Sequence, residues 1–186
     1  NDLEAKQMGY AHPLVYPPNI NKVWTLRSAG LGLLSNVPGN AKPLSFIEDM
    51  AVAVEELPAF LAELDPMLRQ AGQTTIVYYA HAGAGELHIK PTLDLKDAND
   101  VKQFRYIATE SAKLVKKFGG SLSGEHGDGR VRGEFIPLVM GERNYALFKR
   151  IKQVWDPNGI FNPGKITDTP PMDSSLRYEV GQHLPE

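Results

Sequence analysis

The sequence predicts an α+β fold in which helices pack on one face of an antiparallel β-sheet. Helical and strand-like patterns follow one another along the 186 residues. The strand-like stretches 74–79 and 86–93 flank a glycine turn, which is typical of an antiparallel hairpin. An apolar fraction of 42% is sufficient for a hydrophobic core between the helical layer and the sheet.

Four patterns predict helices. In the second of them, apolar residues from Leu57 to Leu68 recur every three or four positions, and Gly72 closes the pattern. The longest has an apolar face from Val101 to Val115 and ends at a pair of glycines. The predicted helices span residues 21–34, 55–71, 98–118 and 145–155.

Three stretches predict strands. Residues 74–79 are β-branched and aromatic, and residues 86–93 follow across the turn. A third candidate, 44–54, is apolar at both ends but carries Glu48 and Asp49 in its middle, where a buried strand would not normally have them. Together these stretches predict a small sheet built around the hairpin.

The domain organisation follows from prolines and from the loss of periodicity. Residues 1–20 contain three prolines and are predicted to be a connecting segment, 21–167 the folded domain, and 168–186 a linker or tail. The chain begins with Asn1 rather than Met, so we expect it to have been cut from a longer polypeptide.

The composition excludes several classes of function. The 20 basic and 22 acidic residues nearly cancel, so the sequence predicts no binding of nucleic acid. The absence of cysteine excludes disulfides, thiolate zinc sites and cysteine-bound iron–sulfur clusters within these residues. No apolar run is long enough to span a bilayer, and we expect no export signal in these residues.

Two histidines at the ends of the glycine turn are candidate metal ligands. His81 and His88 can converge if the two strands pair, and imidazoles suit Zn²⁺, Mn²⁺ or Fe²⁺ when a carboxylate joins them. In the alternative interpretation one histidine caps the turn and the other packs in the sheet. The spacing alone favours this structural interpretation.

The glycine-rich stretch 121–132 contains Glu125 and His126, which offer a metal ligand and a base. The alternative is a mobile surface loop, and the stretch matches neither a Walker loop nor a dinucleotide fingerprint. Arg27 and Lys42 lie beside apolar residues and suit a small carboxylic acid if they point into a cleft, although such cations are most often simply solvated.

Four motifs, taken in order, resemble the C-terminal cap domain of FAD-linked oxidases and dehydrogenases of the vanillyl-alcohol-oxidase type, over roughly residues 20–167. They are the stretches 81–88 and 123–130, Asp156-Pro157 and Asn162-Pro163-Gly164-Lys165. Within that superfamily the sequence resembles the D-lactate, glycolate and D-2-hydroxyglutarate dehydrogenase group. The stretches 24–27, 41–49 and 176–178 are similar to long bacterial members that continue into an iron–sulfur domain.

The resemblance implies a split active site, with FAD bound by an upstream domain and covered by a ferredoxin-like cap. It implies that His81, His88 and Glu125 hold a divalent metal and that His126 is the base, near the flavin. It also implies that Arg27 and Lys42 contact the substrate carboxylate, and that Asn162 lies near the flavin.

Two positions depart from the family pattern, and both line the substrate in relatives. Leu31 stands where a Thr is expected, and Lys90 where relatives carry Asn. An added cation at Lys90 suits a substrate with a second carboxylate without identifying the acid.

The function expected from the resemblance is FAD-dependent oxidation of a D-2-hydroxy acid to the 2-oxo acid, with the isolated fragment inactive. The expected partners are the substrate, an upstream FAD domain, a downstream iron–sulfur domain and, as one option, a second copy in a homodimer. We expect a cytoplasmic location or a peripheral one at the inner membrane. The alternatives are a stand-alone ligand- or metal-binding module without redox activity and, third, a metal hydrolase.

Overall fold

The computed structural model describes residues 2–182 and divides the chain after Pro38 into two compact units. The first unit contains a short helix, α1 (Asp2–Ala5), and a longer one, α2 (Ile20–Ser35). Helix α2 confirms the helix predicted over 21–34. No helix in the described part of the chain combines the length and apolarity needed to cross a bilayer.

The second unit is built on a four-stranded antiparallel sheet with β4 at its centre. Strand β3 pairs along the length of β4, whereas β1 and β2 pair with opposite ends of β4. The strands are β1 (Lys42–Pro43), β2 (Met50–Ala51), β3 (Ile76–His81) and β4 (Glu86–Leu93). The predicted hairpin is therefore confirmed, and its second strand has the predicted bounds.

The strand predicted over 44–54 is wrong for most of its length, because only Met50 and Ala51 lie in a strand there. Phe46 and Ile47 are buried in the core, which explains why the stretch has an apolar pattern. Asp49, however, has a φ of 71°, a left-handed conformation that interrupts an extended chain. Its side chain is fully buried and serves the functional site described below.

Four helices belong to the second unit, and the predicted α+β class with its sheet and helices is confirmed. They are α3 (Leu57–Gln70), α4 (Ala98–Lys117), α5 (Ile136–Met140) and α6 (Glu142–Trp155). The carboxylate of Asp97 caps α4 by accepting from the backbone N–H groups of Asn99 and Asp100 at 2.8 and 3.0 Å. Helix α5 was not predicted from the sequence, because its five residues are too few to show the repeating apolar pattern of a helix.

The alternation of β4 separates the core from the site. Leu87, Ile89 and Leu93 join the core with residues of α3 and α4 such as Phe60 and Ile107. Side chains of a strand alternate between its two faces, so Glu86, His88 and Lys90 lie on the other face. The core residues thereby fix which row of side chains faces the site.

The described part of the predicted tail, from residue 168 to Gln182, contacts the rest of the second unit. Met172 is buried in the core, and the carboxylate of Asp173 accepts from the guanidinium of Arg105 at 2.8 and 2.9 Å. Glu134 binds the same guanidinium at 2.7 Å. The remainder of the predicted tail, residues 183–186, lies outside the described residues.

Candidate metal and substrate site

The site begins with a row of three polar side chains on β4. Glu86, His88 and Lys90 are 7%, 6% and 8% exposed, respectively, although all three can carry a charge. Charged groups are rarely buried without partners, so three in a row indicate a built polar site rather than a solvated strand face.

The β3–β4 turn brings the two predicted histidines together. The register pairs His81 with Glu86, and the rings of His81 and His88 have centroids 5.3 Å apart in an edge-on arrangement. Gly85 closes the turn with a φ of 73°, and a Cβ there would lie 1.9 Å from the carbonyl oxygen of Val52. Only glycine fits this close approach, so the spacing of the two histidines depends on it.

The loop at 121–132 supplies Glu125 and His126, and the buried carboxylate of Asp49 fixes it. Asp49 accepts from the backbone N–H groups of Gly124, Glu125 and His126 at 3.0, 2.7 and 3.0 Å. It also accepts from the hydroxyl of Ser123 and from Nη2 of Arg132, the latter at 3.2 Å. Burial opposes the ionisation of Asp49, but these hydrogen bonds outweigh it and hold the pKa well below its usual range.

The side chains of His81, Glu86, His88 and Glu125 form a cluster whose potential ligand atoms all lie within 4.8 Å of one another. Oε1 of Glu125 is 3.8 Å from Nε2 of His81 and 3.6 Å from Nε2 of His88. Burial lowers the pKa of His88, which favours the neutral ring that binds metals. The structure thus brings together the three predicted ligands, and the donor set of imidazoles and carboxylates fits a divalent cation.

Glu86 is a member of this cluster that the sequence analysis did not identify. Its Oε1 is buried and has no hydrogen-bond partner among the described residues. A hydrogen bond with Asp49 and burial both raise the pKa of Glu86. The signal available in the sequence was an acidic residue two positions before a candidate ligand on the same strand face.

His126 lies beside the cluster. Its ring stacks on that of His88 with centroids 5.3 Å apart, and its Nε2 is 3.3 Å from Oε1 of Glu125. On the other side of the ring, Nδ1 is 3.5 Å from Oε1 of Glu48. With about half of its side chain exposed, His126 is open to a small molecule while two carboxylates face its nitrogens.

Lys90 is engaged within the protein. Its Nζ lies 3.0 Å from Oε2 of Glu48 and donates to Oγ of Ser45 at 2.6 Å. Burial opposes the ionisation of Glu48, but the hydrogen bond and charge of Lys90 outweigh it and lower the pKa of Glu48. Lys90, Glu48 and His126 therefore form a continuous polar chain toward the cluster, and Glu48 was not singled out from the sequence.

A cavity of about 680 Å³ opens next to His126 and is lined mostly by apolar side chains. Asn162 also lines this cavity, so the structure brings together both residues predicted to lie near the flavin. Its other walls include Phe148, Trp155, Phe161 and Ile166, and Lys152 and Lys165 line it as well. A flat aromatic ligand suits the apolar part of this wall.

Lys42 and Arg27 are the other two predicted substrate residues. Lys42 pairs with Leu93, at the far end of β4 from Glu86. Arg27 belongs to the first unit, where its guanidinium lies 5.9 Å from the centre of the Trp24 ring. Their contacts with a substrate stay predictions.

Comparison with known proteins places the chain in a family. Residues 14–166 match the family described as FAD linked oxidases, C-terminal domain. The chain belongs to this family, which defines it as the C-terminal domain of an FAD-linked oxidoreductase and confirms the resemblance carried by the motifs.

Several curated relatives match most of the chain. It is 39% identical over 159 residues to a D-2-hydroxyglutarate dehydrogenase of Haemophilus influenzae, covering 84% of this chain and 15% of that protein. A D-2-hydroxyglutarate dehydrogenase of Pseudomonas putida is 39% identical over 149 residues, covering 79% of this chain and 14% of that protein. A glycolate oxidase subunit of Bacillus subtilis is 26% identical over 125 residues, with coverage of 67% and 26%. The chain therefore spans about one seventh of the length of the first two relatives.

Proposed function

We propose that this chain is the metal- and substrate-binding cap of a flavin-dependent dehydrogenase that oxidises a D-2-hydroxy acid to the 2-oxo acid. The observation that carries the proposal is the convergence of His81, His88 and Glu125, with His126 stacked beside them, in a member of the FAD-linked oxidase family. In this proposal FAD is bound mainly by a domain upstream of the chain, and a downstream iron–sulfur domain follows it.

His81, His88 and Glu125 would hold the divalent cation. Their donor set fits, because two imidazoles and a carboxylate converge and one of the imidazoles is kept neutral by burial. A bound cation lowers the pKa of a coordinated hydroxyl group, as it does for water. The three side chains would also orient the substrate, since the open positions around such a cation suit a hydroxyl and a carboxylate oxygen.

His126 would accept the hydroxyl proton. Its half-exposed ring is within reach of a small molecule at the cluster, and imidazole is a suitable base near neutral pH. Glu48, which faces Nδ1, would stabilise the imidazolium that forms. FAD bound by the upstream domain would supply the acceptor for the α-hydrogen, which would leave the substrate as a hydride and complete the two-electron oxidation.

The remaining predicted residues would position the reactants. Arg27, Lys42 and Lys90 are proposed to bind carboxylates of the substrate. Asn162 and His126 would border the flavin, an assignment supported by the cavity that they share. The names of the relatives support a hydroxy acid such as 2-hydroxyglutarate or glycolate as the substrate.

Steady-state kinetics of the complete polypeptide that contains this chain test the proposal. We expect FAD-dependent oxidation of a D-2-hydroxy acid, and His126→Ala should lower kcat by about 10²–10⁴-fold if His126 is the base. Added imidazole should restore part of the activity, whereas a variant that had merely lost its structure would not respond. Unchanged turnover in His126→Ala would refute the role of His126 as the base. A complete polypeptide that binds no flavin would instead favour the alternative of a stand-alone metal-binding module.

A further inference from the structure

Glu86 occupies an unusual position for an acidic residue. Its side chain is 9% exposed, and its Oε1 has no hydrogen-bond partner in the described part of the chain. Buried carboxylate oxygens are normally bonded, because removing them from water is otherwise unfavourable. The oxygen is 3.9 Å from Nε2 of His88, which is too long for a hydrogen bond.

The packing around Glu86 directs this oxygen toward the candidate metal ligands. A Cβ on Gly124 would lie 3.1 Å from both Cδ and Oε1 of Glu86, so the loop carrying Glu125 closes directly over the carboxyl group. Ligand atoms of His81, His88, Glu125 and Glu86 are all within 4.8 Å of one another. The unbonded oxygen therefore belongs to the same cluster as the three predicted ligands.

The charges around Glu86 also call for a cation. The Cβ position of Gly124 lies 3.1 Å from Oε1 of Glu86 and 3.4 Å from Oδ1 of Asp49, and Glu125 belongs to the same cluster, so two further carboxylates lie beside Glu86. The guanidinium of Arg132 is bound to Asp49. Over residues 2–182, the ion pairs of the structure give Glu86 no lysine or arginine partner, and the basic groups in its cluster are the imidazoles of His81 and His88.

We infer that Glu86 is a fourth ligand of the divalent cation held by His81, His88 and Glu125. This inference rests on the proposed function, because it adds a ligand to the proposed metal site. Two imidazoles and two carboxylates would fill the four positions of a tetrahedral Zn²⁺ and leave no place for a substrate. A six-coordinate cation such as Mn²⁺ or Fe²⁺ keeps two open positions, which match the hydroxyl and carboxylate oxygens of a 2-hydroxy acid. With Glu86 as a fourth ligand, the site would therefore suit a six-coordinate cation.

Calorimetry of the 186-residue chain with Mn²⁺, and separately with Zn²⁺, tests the inference on three proteins: the wild type, Glu86→Gln and a matched control, Glu63→Gln. The control removes an exposed carboxylate whose described partner is Lys117. Glu86→Gln should raise the Kd for Mn²⁺ by about 10–100-fold, which is the range that the loss of even an outer partner of a metal ligand produces. Glu63→Gln should bind as the wild type does, and circular dichroism checks that each variant is folded.

The visible spectrum of the Co²⁺-loaded chain separates ligation from a general charge effect. Loss of a ligand should change the position and intensity of the d–d bands, whereas loss of a nearby charge should weaken binding and leave the spectrum of the saturated site unchanged. An unchanged spectrum, or a Kd for Mn²⁺ equal to that of the wild type, would overturn the role of Glu86 while the three-ligand site stands. If the wild type and His81→Ala bind Mn²⁺ and Zn²⁺ equally weakly, the metal site of the proposed function fails as well.

Discussion

Replacing the buried carboxylate of Asp49 should lower both the stability of the fold and the metal affinity of the proposed site. Asp49 accepts three backbone N–H groups of the loop that carries Glu125 and His126, and it is the ion-pair partner of Arg132. In Asp49→Asn the amide NH₂ would face donors where a carboxylate oxygen now accepts. The guanidinium of Arg132, whose side chain is 11% exposed, would lose its charged partner.

The magnitude follows from the loss of that buried ion pair. Removing one partner of a buried pair typically costs 3–5 kcal/mol, so we expect Asp49→Asn to lower the free energy of unfolding by about 4 kcal/mol. For a chain of 150–250 residues each kcal/mol shifts Tm by about 2–4 °C, which gives a decrease of roughly 8–16 °C. Affinity for Mn²⁺ should fall too, since the loop that presents Glu125 loses its anchor.

Thermal melts followed by circular dichroism measure this effect, with Glu63→Gln as the control. Glu63 pairs with Lys117 at the surface, where ion pairs contribute little, so the melt of this variant should nearly match that of the wild type. The lowered pKa of Asp49 adds a pH test. Its contribution should be complete above pH 3.8 and lost as the pH falls further, because the unfolded chain then binds a proton that the native carboxylate does not. A Tm of Asp49→Asn within about 2 °C of that of the wild type would refute the role of Asp49 as an anchor, since such a shift corresponds to at most about 1 kcal/mol.

Three further predictions concern ligands. The affinity of the chain for Mn²⁺ should fall as the pH decreases below about 6.5, because the imidazoles protonate. Since the pKa of His88 is lowered, its ring should protonate at a lower pH than an ordinary histidine. A constant Kd in calorimetry at several pH values would contradict this prediction. Lys90→Ala in the complete polypeptide should impair oxidation of a dicarboxylic hydroxy acid more than that of D-lactate, and equal losses in kcat/KM would remove Lys90 from substrate binding. The 186-residue chain should be colourless after gel filtration, since nothing in its sequence resembles a pyrophosphate-binding loop, and a yellow protein with one equivalent of FAD would contradict the split site.

The elements that were predicted correctly from sequence periodicity are those that bury one continuous face in the core. Helix α4 buries one face from Phe104 to Val115, about three turns, and β4 alternates between core and polar face, so both were found with nearly their observed bounds. The prediction of a strand over 44–54 failed for two reasons. Phe46 and Ile47 are buried, as they would be in a strand, but Asp49 takes a left-handed conformation that a strand does not allow. Hydrophobic pattern reports burial and does not report φ.

The site was predictable only where its residues stand in motifs. His81 and His88 flank one turn, and Glu125 and His126 were assigned through the resemblance to a family. Asp49, in contrast, reaches the loop at Gly124 across 75 residues, and such a contact leaves no local pattern. The acidic residues that interrupted an apolar stretch were nevertheless a usable signal, because buried charged residues usually have a functional or structural partner.

The same strand builds the core and the site, and this couples the two. Leu87 and Ile89 anchor one face of β4 in the core, while Glu86 and His88 stand between and beside them on the other face. A shift of the pairing by one residue would exchange the two rows, placing apolar side chains at the candidate metal ligands and charged ones in the core. The packing that holds the register therefore also sets Glu86 and His88 beneath the loop that Asp49 fixes, where burial of a carboxylate is unfavourable without a partner of opposite charge. The affinity expected of the proposed metal site would thus depend on the hydrophobic face of β4 as much as on the ligands themselves.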